Sequence, residues 1–240
     1  MTARREALLA GLMIPAFLLA VNIPYAALVA LFGYDDVLRL PPGAILLRFH
    51  ERQGVLAWVW LAFAVAALAF APVAAAVDRA LGQAPGLAGQ ASAVAQFVGL
   101  LRWALVVPVL APLAADPARA AAAEAVFVVQ HQVLGVMLGE ILGQILLVAW
   151  TLRVALRLRA LGRARLALAG LATLPLWLVG LTEPLASGVP GVPVVEATPL
   201  AFMAWQGWLA ALGVALLRRA PAPVNPSAVS PRTGQIGVAP

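Results

Sequence analysis

Residues 91–152 read ASAVAQFVGLLRWALVVPVLAPLAADPARAAAAEAVFVVQHQVLGVMLGEILGQILLVAWTL. Two apolar runs, Ala91 to Ala115 and Ala120 to Leu152, stand either side of Asp116-Pro117-Ala118-Arg119. Each run exceeds the ~20 residues that a helix needs to cross a bilayer core, and neither alternates as a barrel strand does. Asp-Pro initiates a turn. The stretch therefore predicts two membrane helices folded back on one another as an antiparallel hairpin.

Four further runs of the same kind flank this hairpin. They lie at 7–32 and 55–77 before it, and at 166–185 and 200–217 after it. With 91–115 and 120–152 they make six spans, and the expected fold is an all-α, six-helix transmembrane bundle. Residues 1–218 form its membrane domain, and 219–240, rich in Pro, Ala and Ser, are expected to be a disordered cytoplasmic tail. The composition agrees. Apolar residues make up 63% of the 240 and charged residues 11%, with a mean hydropathy of +0.96. A soluble domain has about a quarter of its residues charged. Pro15, Pro24, Pro72, Pro108, Pro112 and Pro175 fall inside the runs, where neighbouring helices tolerate them as kinks. The first run follows Arg4 and Arg5 as a signal peptide would, but it is far longer than the ~7–15 residues of a signal core. It reads as an uncleaved helix.

All 16 basic residues are arginine, against 10 acids. With the N-terminus inside, eleven arginines fall on inner segments: Arg4, Arg5, Arg79, Arg153, Arg157, Arg159, Arg163, Arg165, Arg218, Arg219 and Arg232. Four fall outside: Arg39, Arg48, Arg52 and Arg119. This bias predicts both termini in the cytoplasm. Arg153, Arg157, Arg159, Arg163 and Arg165 are expected to reach anionic headgroups. The basic runs lack interleaved aromatics and any reading motif, which argues against nucleic acid. Between the first two spans, Pro41-Pro42-Gly43 and the residues after it suggest an outer loop with a short interfacial helix.

A charge at the centre of a membrane helix costs about 2.5–3.5 kcal/mol on insertion scales. The polar residues inside the runs are therefore the informative ones: Asn22, Gln96, Arg102, His131, Glu140, Gln144, Glu183 and Gln206. At ~1.5 Å of rise per residue, Arg102 and Glu140 both fall within about 6 Å of the midplane on consecutive helices. They are expected to pair, either to fix the packing or to form a gate or substrate site. His131, Glu183 and Gln206 fall nearer the outer side, flanked by Trp177, Trp205 and Trp208. Gly135, Gly139 and Gly143 recur every fourth residue, a small-residue stripe that lets helix backbones approach. On an α-helix His131 and Glu140, nine residues apart, face opposite ways, which argues against a His–Glu catalytic pair.

The sequence contains no His-Glu-x-x-His, no Gly-x-Ser-x-Gly and no P-loop. It has no cysteine and two histidines, His50 and His131. A histidine zinc site lacks ligands. A haem b would need His50 and His131 at one depth, and they are read at different depths, so no cofactor is expected.

The runs Leu47-Arg48-Phe49-His50, Gly99-Leu100-Leu101-Arg102-Trp103 and His131-x-x-x-Gly135-x-x-x-Gly139-Glu140 resemble a bacterial multi-span membrane-protein family, the domain of unknown function 4386. The resemblance extends to about residue 218. It implies a multi-span protein with no assigned chemistry and groups Arg102, Trp103, His131 and Glu140 as a set. The expected function is a non-enzymatic membrane protein that binds or passes a small or lipid-like ligand through a polar centre of Arg102, Trp103, His131, Glu140, Glu183 and Gln206. Two alternatives stay open: an intramembrane redox or enzyme protein using His131, and an accessory subunit of a larger membrane complex or a homo-oligomer. The expected location is the inner (cytoplasmic) membrane.

Overall fold

A computed structural model describes residues 3–34 and 36–219. The chain is a six-helix membrane bundle. Span one is α1 (Ala3–Phe32). After a single turn at Asp36–Arg39 comes α2 (Pro42–Glu51). Span two is α3 (Gln53–Leu68) with α4 (Phe70–Ala80), and span three is α5 (Leu87–Leu105) with α6 (Val107–Ala114). Span four runs from α7 (Ala120–Gln130) through a π-helical segment (His131–Leu142) into α8 (Gly143–Ala160). Span five is α9 (Ala164–Gly180), followed by the short α10 (Thr182–Ala186), and span six is α11 (Thr198–Arg219). All six spans are long and apolar enough to cross a membrane. The tail at 220–240 and Arg232 lie outside the described residues.

The prolines act according to their surroundings. The helix continues through Pro15, Pro24 and Pro175, but span two is interrupted at Ala69 and span three at Val106. Pro72 and Pro108 follow these breaks by two or three residues. Each lacks an N–H and crowds the carbonyl four residues earlier, Leu68 or Ala104.

Consecutive spans pack side by side, and α1 closes on α11, so the six form a ring. Leu12, Leu19 and Ile23 of α1 and Leu168 and Leu178 of α9 point outward, as lipid-facing side chains must. The inner wall is aromatic. Trp60 and Trp103 stack at 4.8 Å and 11°, with Phe32 edge-on to both. The segment read as an interfacial helix is α2. It lays Ile45, Leu46 and Phe49, all buried, against α6 and α7. Its neighbour Arg52 donates to the Leu31 carbonyl at 3.1 Å, completing the C-terminus of α1.

At the arginine-rich end the acids are already engaged. Asp78, fully buried, accepts from the Gly86 N–H at 2.7 Å and pairs with Arg153 at 3.2 Å. Glu6 pairs with Arg79 at 3.2 Å. Arg153 also donates to the Ala84 carbonyl and Arg157 to that of Leu81. These two arginines clasp the loop between spans two and three, whereas Arg159, Arg163 and Arg165 are exposed.

Candidate functional site

The ring encloses a cavity of about 360 Å³ to which every span contributes. Four of the residues read as a polar centre, Arg102, His131, Glu140 and Glu183, line it together with Trp103. Gln206 does not. It turns to span one and accepts from the Asn22 amide at 2.5 Å, where Asn22 is exposed. Two polar residues on the outside of adjacent membrane helices satisfy one another there, since lipid offers neither a partner.

Arg102 is only 5% exposed. Its Nη1 donates to the Gly99 carbonyl one turn earlier, and its Nη2 lies 3.2 Å from Nδ1 of His131. A guanidinium can only donate, so Nδ1 is the acceptor and the ring proton sits on Nε2. The guanidinium carbon lies 5.4 Å from the centre of the Trp103 ring. The carboxylate of Glu140 acts on it through its field from within the same cavity. A direct partner of Arg102 on span four is thus His131, about two turns nearer the Asp116 end than Glu140, the residue that the depth estimate sets beside it.

The reason lies in how spans three and four cross. A Cβ placed on Gly99 would meet the Gly139 Cα at 2.8 Å and the Leu134 carbonyl at 2.9 Å. These backbones touch, and the contact sets the register. Arg102 then stands opposite Gly135, where an added Cβ would meet its guanidinium at 2.5–2.6 Å. Further along, Ser92 donates to the Gly143 carbonyl at 2.7 Å. The glycine stripe of span four therefore faces span three along its length.

The π-helical winding changes which residues share a face. On an α-helix nine residues make two and a half turns. Bonds from i to i+5, such as Gly143 N–H to the Leu138 carbonyl, spread the same nine over about two turns. His131 and Glu140 consequently face one cavity, where α-helical geometry sets them on opposite sides. His131 also stacks on Phe127, with ring centres at 5.6 Å and planes at 19°.

The mouth is held by Arg39, a residue read from the sequence only as an outer loop charge. It pairs with Asp36 at 3.0 Å, Glu183 at 3.1 Å and Glu196 at 3.4 Å, and it lines the cavity with Glu183. Burial, the largest single influence, opposes its charge. The hydrogen bond to Glu183 and the three carboxylates outweigh that and hold the guanidinium above its ordinary pKa. Beside it, Gln132 and Ser187 bond at 3.0 Å, tying the π-helical segment to the loop between spans five and six. The acids Asp36 and Glu183, on chain segments adjoining Arg39 in space, were the available hint, but no sequence spacing joins residues so far apart.

Trp177 and Trp205 line the cavity, while Trp208 packs on Gly170 and donates to the Leu166 carbonyl at 3.0 Å. His50 is exposed on α2, away from the cavity. Among the described residues no three His, Asp or Glu side chains gather as a metal site. No known family, curated protein or solved structure matches the chain.

Proposed function

We propose that this protein binds or passes a small, largely apolar molecule through the cavity enclosed by its six spans, and that it does so without catalysing a reaction. One observation carries the reading. The ~360 Å³ space lies within the size range of ligand sites, its walls are mostly apolar and aromatic, and a few polar groups converge on it. A membrane bundle has no need of Arg102, His131 and Glu140 for stability, because apolar side chains would pack there at lower cost. Such residues inside a membrane by default mark a path or site. The same reading places the arginine-rich end in the cytoplasm, with Arg159, Arg163 and Arg165 against anionic headgroups, and opens the cavity to the opposite side.

The test is native mass spectrometry of the protein extracted with its lipids. Wild type should carry a bound species of small-molecule mass. Ala67→Phe, which puts a ring into the cavity wall, should lose it while keeping the same annular lipids. Identical spectra for the two would overturn the reading.

A further inference from the structure

We infer that the ligand is a lipophilic organic cation: an amine or quaternary onium centre carried on an apolar body. This rests on the cavity being a binding site and names what it selects.

The sign of the charge follows from what the cavity presents. Its lining holds two arginines and two carboxylates, Arg39, Arg102, Glu140 and Glu183, together with His131, and Arg39 at the mouth holds two further carboxylates, Asp36 and Glu196. Two arginines thus meet four carboxylates. The arginines are also the less available partners. Arg102 is almost wholly buried in the wall, with its Nη atoms on the Gly99 carbonyl and His131. Arg39 is shared among three acids. Glu196, by contrast, has its side chain 59% exposed at the mouth, and Glu183 is 32% exposed. A carboxylate-rich entrance with low-dielectric walls concentrates cations and repels anions.

The body of the ligand follows from the walls. Tyr25, Tyr34, Phe63, Trp177 and Phe202 turn onto the space from four different spans and the first loop. Ring faces attract a cation, most strongly where water is excluded. Aromatic walls below acidic rims are the arrangement that holds a desolvated onium centre. For an anionic headgroup, Arg102 Nε and Trp177 Nε1 have no protein acceptor among the described residues, but both atoms are buried in the wall and out of its reach.

Tetraphenylphosphonium and tetraphenylborate test the inference, since they share shape and size and differ in sign. Their binding to the detergent-solubilised protein is measured by equilibrium dialysis. Uptake by micelles is removed by subtracting Ala67→Phe or Ala93→Leu protein, in which the cavity is filled. The phosphonium should bind at least tenfold more tightly than the borate. Glu183→Gln and, independently, the exposed Glu196→Gln should each reduce that ratio several-fold. Equal binding of the two ions, or preference for the borate, with both displaced by the cavity-filling variants, would overturn the cation assignment and leave the binding site standing. No difference between wild type and the filled variants for either ion would overturn both.

Discussion

Arg102 brings a permanent charge into the middle of an apolar bundle, and its surroundings show how that charge is tolerated. The Gly99 carbonyl and His131 Nδ1 accept from it directly, Trp103 offers a ring, and Glu140 supplies an opposing field. His131 is the partner whose removal isolates one interaction. His131→Leu should destabilise the protein by roughly 1–3 kcal/mol, the usual cost of leaving a buried donor without an acceptor. His131→Gln, whose amide oxygen can accept, should recover part of that loss. Unfolding in detergent micelles for the three proteins decides the point, and equal stability of the Leu variant and wild type would show that the bond contributes nothing. That Arg102 and His131 matter was legible in the sequence, because polar residues in apolar runs stand out. That they bond to each other was not. Counting depth from span centres set Arg102 level with Glu140, whereas His131 stands about two turns away from Glu140.

At the scale of elements, the six apolar helices coincide with the six hydropathy runs; every span but the fourth starts two to four residues before the run, and span four runs on to Ala160. The π-helical segment left no such trace. Its glycines were visible as a packing stripe, but the winding arises from how span four meets the α5 backbone, which is a tertiary fact. The α-helical wheel therefore separated His131 from Glu140, and the cavity joins them. The crossing at Gly99 and Gly139 is the point to test. In Gly99→Ala the new methyl would meet only backbone atoms, at 2.8 and 2.9 Å, and backbone cannot swing aside. A loss of about 1–3 kcal/mol is expected, as for overpacking elsewhere. Gly207→Ala is the control. Nothing lies within 4 Å of its added methyl, so it should be neutral or should gain up to about 1 kcal/mol from helix propensity. Thermal melting of the two variants measures the contrast. Equal effects would mean that the close approach does not fix the register.

For the whole molecule, the two ends of the ring differ in charge, and the orientation we propose for the cavity follows from that difference. The mouth held by Arg39 lies at the end with the Asp116–Arg119 turn, because span three runs from Leu87 towards it and span four returns from it. At the other end Arg79 and Arg153 are paired with Glu6 and Asp78, while Arg159, Arg163 and Arg165 remain exposed. Translocating that end would mean carrying several exposed arginines across the membrane, so we predict that it stays inside. The chain contains no cysteine, which makes single-cysteine labelling clean. Ala118→Cys sits in the turn between spans three and four, and Leu161→Cys in the loop between spans four and five; both positions are exposed. In intact cells a membrane-impermeant maleimide should label Ala118→Cys and spare Leu161→Cys, and permeabilisation should expose the second. The reverse pattern would turn the acid-rimmed mouth towards the cytoplasm. Labelling of both in intact cells would contradict an odd number of crossings between them, and with it the passage of span four through the bilayer.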